Sequence, residues 1–310
     1  MTGAPRNLPQ LALSRTGLDR AGWRRKEPGL LDQLLADPAT AVVELRGERL
    51  ETYADGTALV RRRPSEAPLR PGDVALYLGQ DPRGVEVVGL VRDAVEDDPA
   101  PGWSGLRVLG LSLDAVDVHI AASLVGMGHW HRSHRHCARC GQPTTPVEAG
   151  WVRACPLGHH SFPVTSPAVI MAVTDPHDRL LLARNTAWPQ GRWSVLAGFV
   201  EPGESLEAAV AREVAEEVGV LVEDVRYAGN QPWPFPASLM LAFTARAARG
   251  TALRFADAEI AEARWYSREE LRAAVGSGAI LSGGTPVSVA YHLIESWLGE
   301  PIAGLQPARG

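Results

Sequence analysis

The sequence has few cysteines, no long apolar run and no apolar segment near its start. Three cysteines in 310 residues, two of them in a Cys-x-x-Cys, fit reduced metal ligation better than a disulfide framework. No apolar run reaches the roughly 18 residues of a membrane-spanning helix. The first ten residues, MTGAPRNLPQ, lack the apolar core of a signal peptide. We therefore expect a cytoplasmic protein without a membrane partner.

An excess of positive charge is missing too. The formal net charge is -5 and the sequence pI is about 6.0, which argues against a general nucleic-acid binder and still permits a local basic groove. Hydrophobic residues make up 45% of the 310, which is ample for a buried core. This length suggests two domains with a small module between them.

Changes of pattern divide the chain into segments. Residues 1–25 are polar and are predicted to form a flexible arm. Residues 26–130 alternate strand-like runs with turns and end in helical spacing, which predicts a mixed α/β domain without a catalytic constellation. Residues 131–163 form a compact His/Cys-rich module. Residues 164–300 combine strand and helix patterns in an α/β (α+β) arrangement, and 301–310 form a tail.

One predicted helix carries a cluster of carboxylates. Ser205 is a good N-cap and Gly219 a good C-terminal stop for the helix between them. At about 100° per residue, Glu213, Glu216 and Glu217 fall on one sector, and three valines fall on the neighbouring sector. Such acidic oxygens suit Mg²⁺ or Mn²⁺, which can hold a pyrophosphate and promote its hydrolysis. The alternative is a solvated, glutamate-rich face.

The motif extends beyond the helix. The pattern Gly198-x5-Glu204-x7-Arg212-Glu213-Val214-x-Glu216-Glu217-x-Gly219-Val220 resembles the Nudix box at every specified position. The resemblance implies a Nudix α/β/α sandwich with a mixed sheet and a metal-dependent pyrophosphate hydrolase. It implies that the three glutamates are catalytic metal ligands and that the backbone carbonyl of Ala197 is another. It also implies that Gly198, Glu204 and Arg212 brace the loop against the helix.

A proline-rich segment follows the helix, from Asn230 to Ser238. Its three prolines in five residues predict a stiff loop that presents Trp233 and Phe235 for stacking on a base, with Gln231 and Ser238 as hydrogen-bonding groups. The alternative is a surface loop whose aromatic side chains pack inward. The segment is similar to the S-Q-P-W-P-F-P-x-S marker of the NADH pyrophosphatase branch of Nudix hydrolases, with Asn230 in place of the first serine. The substrate-binding residues implied are Gln231, Pro232, Trp233, Pro234, Phe235, Pro236, Ala237 and Ser238.

Other positions are carried over from the same resemblance. Glu259 matches an additional metal-binding glutamate, and Glu262 is its rival. Phe199 and Phe162 match aromatic residues near the bases, and Ala290 matches a backbone contact to substrate. Members of this branch split NAD(H) into NMN(H) and AMP, some remove the NAD cap from RNA 5′ ends, and they work as homodimers with Mg²⁺ or Mn²⁺.

The His/Cys-rich module resembles the zinc ribbon of that branch. The tight Cys137-x-x-Cys140 turn suits tetrahedral thiolate ligation, and Cys155 follows at a ribbon-like spacing. Gly158 stands where the branch has its fourth cysteine, so His159 or His160 would complete a structural Zn²⁺ site. The alternative is a degenerate ribbon held by packing alone.

The sequence leaves several functions open. The leading hypothesis is hydrolysis of NAD(H), and the second is hydrolysis of NAD-capped RNA, with Arg61-Arg62-Arg63 and the His/Arg-rich linker attracting the trailing strand. ADP-ribose hydrolysis is disfavoured by the proline-rich loop. A nucleotide-sensing regulator is disfavoured because all the box glutamates are present.

Overall fold

A computed structural model describes residues 8, 11–93, 102–249, 252–255, 259–281 and 286–302. The chain divides into two compact units. The first combines Met1–Leu11, Ser166–Gln231 and Leu239–Gly310, and the second combines Ala12–Thr165 with Pro232–Ser238. Within the described residues, no helix combines the length and apolarity that crossing a membrane would require.

In its described residues, the second unit contains two sheets, three α-helices and three 3₁₀ helices. Its α-helices are α1 (Leu30–Ala36), α2 (Leu106–Leu109) and α3 (Ala115–Ser133), and its 3₁₀ helices are Ala12–Ser14, Gly22–Lys26 and Pro64–Glu66. Its first five strands are β1 (Ala41–Arg46), β2 (Arg49–Glu51), β3 (Val74–Gln80), β4 (Glu86–Arg92) and β5 (Trp103–Gly105). The next three strands are β6 (Thr145–Val147), β7 (Val152–Ala154) and β8 (His160–Ser161).

The five-stranded sheet of this unit is mixed. Its order is β3-β4-β1-β2-β5; β1 and β4 run parallel and the other pairs antiparallel. Strands β3 and β4 flank a turn in which the N–H of Gly84 donates to the carbonyl of Asp81. Helix α3 packs closely on β4. The side chain of Leu124 on α3 lies so near Gly89 on β4 that a β-carbon at residue 89 would collide with it. The mixed α/β fold predicted for this region is therefore present.

The flexible arm predicted over residues 1–25 is wrong for its later part. Leu11, Leu13 and Leu18 are almost fully buried, and two short 3₁₀ helices form between residues 12 and 26. The backbone of Asp19 also pairs with Gln80 at the end of β3. Leucines spaced too irregularly for a helix or strand pattern still bury, because burial needs only contact with a core. Residues 1–7, 9 and 10 lie outside the described residues, as do 303–310 of the predicted tail.

Among the residues that the structure describes, the first unit has one six-stranded sheet and three helices. Its strands are β9 (Ser166–Thr174), β10 (Leu180–Asn185), β11 (Leu196–Phe199), β12 (Val222–Trp233), β13 (Ser238–Ala247) and β14 (Ile260–Tyr266). Its helices are α4 (Leu206–Val218), α5 (Arg268–Gly276) and α6 (Val289–Leu298). The sheet order is β12-β13-β9-β10-β14, and β11 pairs with β9.

The sheet of the first unit is covered on both faces, as alternation along β9 shows. Ile170 and Ala172 belong to the core shared with α5 and α6, whereas Val169, Met171 and Val173 belong to the core shared with α4. Successive side chains of a strand point to opposite faces, so a strand buried on both faces is apolar throughout. This is the α/β/α sandwich predicted from the sequence.

Candidate functional site

Helix α4 has the ends that the sequence predicts. Ser205 is its N-cap, and its hydroxyl accepts a hydrogen bond from the backbone N–H of Ala208 at 3.2 Å. Gly219 ends the helix with a φ of 71°, a left-handed conformation that favours glycine. Val210, Val214 and Val218 are completely buried against the sheet. The apolar side of the helix thus anchors the glutamates in a fixed orientation.

The three box glutamates differ in exposure. Glu217 is buried, with 8% of its surface exposed, Glu213 is half-buried, and Glu216 is exposed. Glu213 and Glu217 are four residues apart and therefore lie on the same side of the helix. Burial raises the pKa of Glu213 above its ordinary value, despite a hydrogen bond from Arg212 that acts in the opposite direction. A carboxylate removed from water in this way gains most from a cation.

Gly198 and Glu213 are in intimate contact. A β-carbon at residue 198 would overlap the carboxyl group of Glu213, so only glycine fits this position. Gly198 lies on β11, next to the exposed Ala197, and β11 pairs with β9. The glycine that opens the box therefore gives a helical carboxylate access to the backbone of the strand.

Arg212 connects the loop, the strand and the glutamates. Its guanidinium donates to both carboxylate oxygens of Glu204, at 2.8 and 3.0 Å, and to the carbonyl of Phe199 at 2.9 Å. Its Nη1 also donates to Glu213 at 2.9 Å and to Glu216 at 3.0 Å. The hydrogen bonds from Arg212 hold the pKa of Glu204 below its ordinary value. The expected bidentate pair between Arg212 and Glu204 is thus present, and two box carboxylates converge on one nitrogen.

Glu262 lies on β14, Glu259 lies immediately before it, and the two side chains have different surroundings. Glu262 forms an ion pair with Arg184 at 2.8 Å on the neighbouring strand β10. Glu259 is exposed, and its backbone carbonyl accepts a hydrogen bond from Thr186 at 2.7 Å. Among the described residues, one compact group of possible metal ligands is found, and it lies in the zinc module. The box glutamates and Glu259 do not form such a group there. The acidic oxygens of α4 nevertheless have the chemistry that hard divalent cations prefer.

The zinc module brings four ligand atoms together. Cys137, Cys140, Cys155 and His159 offer atoms that all lie within 4.8 Å of one another. The Sγ atoms of Cys140 and Cys155 are 3.7 Å apart, and Cys137 Sγ is 3.6 Å from His159 Nδ1. Tetrahedral zinc with Zn–S bonds of 2.3 Å implies sulfur separations of roughly 3.8 Å. The donor set and its spacing therefore fit a structural zinc ion.

Backbone conformation explains why a histidine completes this group. Gly158 has a φ of 77°, and its N–H donates to the carbonyl of Cys155. The tight turn places His159 beside the cysteines, while His160 is exposed and its ring contacts Phe162 edge to face at 6.3 Å. The backbone N–H of Arg139 lowers the pKa of Cys137 to about 6, which favours the thiolate that zinc binds.

His131, in the His/Arg-rich linker, is buried rather than exposed to solvent. Its Nε2 donates to the carbonyl of Gly150 at 2.9 Å, and its Nδ1 accepts from Arg153 at 2.9 Å. These partners require the neutral ring, and burial lowers the pKa of His131 to about 4. The side chain of Trp151 nearby donates to the carbonyl of Tyr77 at 2.7 Å. The ribbon is thus fixed to helix α3 by buried hydrogen bonds and to the five-stranded sheet by a partly buried one.

The proline-rich segment forms a hairpin rather than a separate loop. Strand β12 continues through Pro232 to Trp233, and β13 begins at Ser238. Pro232 is tolerated in a strand because β12 is at the edge of the sheet, where an N–H is not needed for pairing. The stiff loop is therefore limited to residues 234–237.

Gln231 does not present its side chain to a ligand. It has no exposed surface, and its amide donates to the carbonyl of Val287 at 2.8 Å. In this structure the side chain of Gln231 is therefore not exposed to a sugar or phosphate. Fixing the hairpin to the chain before α6 is the role its geometry supports.

The aromatic residues of the hairpin tip face an arginine that the sequence analysis missed. The rings of Trp233 and Phe235 meet edge to face at 5.0 Å. The guanidinium of Arg107 lies 4.2 Å from the ring centre of Phe235 and 5.2 Å from that of Trp233. Such cation–π contacts fix the rings. Arg107 stands in no recognisable motif, so no local pattern points to it.

A cavity of about 750 Å³ lies in the second unit beside this cluster. Its walls combine positive charge with aromatic and polar groups. They are formed by Glu48, Arg49, Trp103, Ser104, Gly105, Leu106, Arg107, Val108, His129, Phe235 and Pro236. Aromatic faces beside arginines suit a base and a phosphate group.

The remaining residues predicted to contact substrate range from buried to exposed. Phe162 and Phe199 are each 60% exposed, whereas Ala290 is partly buried against the core that contains α6. Pro234 is buried, Ala237 and Ser238 are half-buried, and Pro236 is exposed. Exposure thus permits ligand contact at the two phenylalanines and favours a packing role at Ala290.

Two known protein families match this chain in the regions that form the box helix and the zinc module. Residues 164–281 match the NUDIX domain, and residues 132–157 match the NADH pyrophosphatase zinc ribbon domain. Together with the sandwich and the box helix, these matches define a Nudix hydrolase that carries a zinc ribbon.

Curated relatives cover nearly the whole chain. A protein named NAD-capped RNA hydrolase NudC from Mycobacterium bovis (strain BCG / Pasteur 1173P2) is 40% identical over 298 residues, which span 92% of this chain and 94% of the relative. The protein of the same name from Pseudomonas putida (strain KT2440) is 43% identical over 61% of this chain and 68% of its own length. A solved NUDIX hydrolase from Nitrosomonas europaea aligns with 54% of this chain and 94% of its own at 21% identity and a TM-score of 0.42. From the sequence relatives, the chain belongs to the NudC family of Nudix hydrolases.

Proposed function

We propose that this protein hydrolyses the pyrophosphate bond of NAD, both as free NAD(H) and as the cap at RNA 5′ ends. Water adds across the bond, so that NAD(H) gives NMN(H) and AMP, and capped RNA gives NMN and a 5′-monophosphate end. The observation that carries the proposal is the arrangement of Gly198, Glu204, Arg212 and Glu213, which holds the box carboxylates in place. The NudC relatives supply the substrate class.

We propose that Glu213, Glu216 and Glu217 hold Mg²⁺ or Mn²⁺, with the carbonyl of Ala197 and the side chain of Glu259 as further ligands. When bound, such ions neutralise charge on the phosphates and activate the attacking water. The chain itself supplies orientation. Arg212 directs Glu213 and Glu216 to one point, and helix α4 carries all three glutamates on a rigid, buried base.

The cavity beside the hairpin tip is the proposed nucleotide subsite. Phe235 offers an aromatic face, and Arg49 and Arg107 offer guanidinium groups for phosphate. Because Arg107 also packs on the rings of the hairpin, it can position them while it faces the ligand. Selectivity for a dinucleotide over a mononucleotide would then come from base stacking together with phosphate contacts.

The zinc ion is proposed to be structural, because four protein ligands leave no position for substrate.

We also propose that the protein is a cytoplasmic homodimer. Phe162 and Val164, each about 60% exposed, lie close in sequence and give an apolar surface that a second copy could cover. Light scattering on the purified protein measures its oligomeric state directly.

Product analysis tests the proposed function. The protein is incubated with NADH, NAD⁺, ADP-ribose and NAD-capped RNA, with Mg²⁺ or Mn²⁺, and products are separated by chromatography. We expect NMN(H) with AMP from the dinucleotides, and NMN with 5′-monophosphate RNA from the capped transcript. Faster turnover of ADP-ribose than of either NAD substrate would overturn the substrate assignment.

A further inference from the structure

The 3₁₀ helix Gly22–Lys26 exposes a tryptophan and a lysine together. Trp23 has 77% of its surface exposed, the largest exposed fraction among the large hydrophobic residues described. Side chains at positions i and i+3 of a 3₁₀ helix eclipse one another, so Trp23 and Lys26 share one face. Lys26 is also exposed, and it is the single lysine of the chain. An exposed aromatic ring beside a cation has the two groups that bind an unpaired base and its phosphate.

A second tryptophan beside this helix is stacked with arginines. The guanidinium of Arg25 lies 3.6 Å from the ring centre of Trp151, and that of Arg20 lies 5.7 Å from it. The ring is fixed by the hydrogen bond from its Nε1 to Tyr77. We call Arg20, Trp23, Arg25, Lys26 and Trp151 the tryptophan surface; all five residues belong to the second unit.

The cations of the tryptophan surface are not neutralised by carboxylates. Neighbouring Arg24 forms ion pairs with Glu27 and Glu86, but Arg20, Arg25 and Lys26 take part in no ion pair within the described part of the chain. Of the two acidic residues adjacent in sequence, Asp19 accepts a hydrogen bond from the backbone of Ala21, and Glu27 pairs with Arg24. Positive charge is thus concentrated beside two aromatic rings.

Two of the three arginines in the basic run predicted to attract RNA are, in contrast, already paired with carboxylates. Arg61 pairs with Asp81 at 3.0 Å and with Asp117 at 2.7 Å, and Arg62 pairs with Glu51 at 2.6 Å. Both aspartates are buried. Arg61 and Arg62 therefore stabilise the second unit, and their charge is unavailable to a nucleic acid, whereas Arg63 is exposed.

We propose that the tryptophan surface binds the single-stranded RNA that follows the NAD cap. This inference rests on the proposed function. Unpaired bases stack on exposed aromatic rings without regard to sequence, and cations beside the rings bind the phosphates between them. Free NAD(H) has no trailing strand, so the surface affects capped RNA alone.

Kinetics with a matched control tests the proposal. The double variant Trp23→Ala/Lys26→Gln is compared with Tyr53→Ala/Arg70→Gln, which removes an exposed aromatic and an exposed cation elsewhere in the same unit. We expect the first variant to lower kcat/KM for a long NAD-capped RNA by about tenfold and to leave NADH turnover unchanged. The control variant should match the unaltered protein on both substrates. Equal effects of the two variants, or an equal fall on NADH and capped RNA, would overturn the proposal.

The single lysine permits a direct measurement of contact that does not depend on catalysis. An amine-reactive reagent can modify Lys26 and the terminal amine, and mass spectrometry follows the rate at each. NAD-capped RNA should slow modification of Lys26 several-fold with little effect at the terminus, whereas NADH should not. If the protein turned over neither substrate, the proposed function would fail while protection by RNA could still be observed. Unchanged modification of Lys26 in saturating RNA would refute the surface itself.

Discussion

The carboxyl group of Glu213 lies so close to the Cα of Gly198 that any side chain at residue 198 would displace it. The change Gly198→Ala should therefore lower kcat/KM for NADH by about 100-fold, because small displacements of reacting groups have effects of that size. Steady-state kinetics measures the loss, and circular dichroism should show an intact fold. Normal turnover by this variant would mean that Glu213 need not occupy its observed position.

The fork between Arg212 and Glu204 gives a second prediction. Arg212→Lys keeps the charge and loses the bidentate geometry, so it should lower kcat/KM by at least about tenfold. Glu204→Gln should have a similar effect. The double variant should lose less than the two single losses multiplied, because both changes break one interaction. Strictly multiplicative losses would show that the two residues act independently.

The zinc site distinguishes two adjacent histidines. His159→Ala should reduce bound zinc, measured by elemental analysis, and lower the thermal midpoint by several degrees, because it removes one of four ligands. His160→Ala is the matched control and should retain one zinc per chain. Loss of zinc in the His160 variant alone would show that His160, and not His159, is the fourth ligand.

The buried neutral ring of His131 predicts a pH dependence of stability. Its pKa is about 4 in the fold, against 6.5 ordinarily, so the unfolded chain binds a proton that the folded chain excludes. Stability from this residue is complete above pH 6.5 and is lost as the pH falls towards 4, by on the order of 3 kcal/mol. Urea unfolding at a series of pH values should show a smaller loss in His131→Gln. The exposed His136→Gln should follow the unaltered protein; if both variants have the same pH profile, burial of His131 is not the cause.

Arg107 should act on binding of substrate more than on the chemical step. It contacts both aromatic rings of the hairpin tip and lines the cavity beside them. Arg107→Ala should raise KM for NADH about tenfold with a smaller change in kcat. Arg63→Ala, at an exposed position of the same unit, is a suitable control. A fall in kcat at constant KM would place Arg107 in the chemical step instead.

Local rules predicted the box helix well. Ser205 and Gly219 mark its ends by hydrogen bonding and by left-handed backbone geometry, which depend on neighbouring residues alone. The buried valines and the pairing of Arg212 with Glu204 follow from helical spacing and a short loop. The alternating burial of β9 likewise follows from its continuous apolar run.

Long-range partners explain the failures. Gln231 looked like a ligand contact because its carbonyl partner, Val287, is 56 residues away in sequence. Arg61 looked free because Asp117 is equally distant along the chain. Arg107 became visible only when the fold placed it beside Phe235. A polar side chain has no sequence signature for a backbone or charge partner that folding alone brings near.

The central claim is that carboxylates on one side of α4 carry the hydrolysis. Its most direct test is turnover of NADH and NAD-capped RNA by Glu217→Gln, compared with Glu207→Gln, which changes an exposed glutamate in the first turn of the same helix. We predict a loss on the order of 100-fold or more on both substrates for the first variant and near-normal rates for the second. Near-normal turnover by Glu217→Gln would contradict the account.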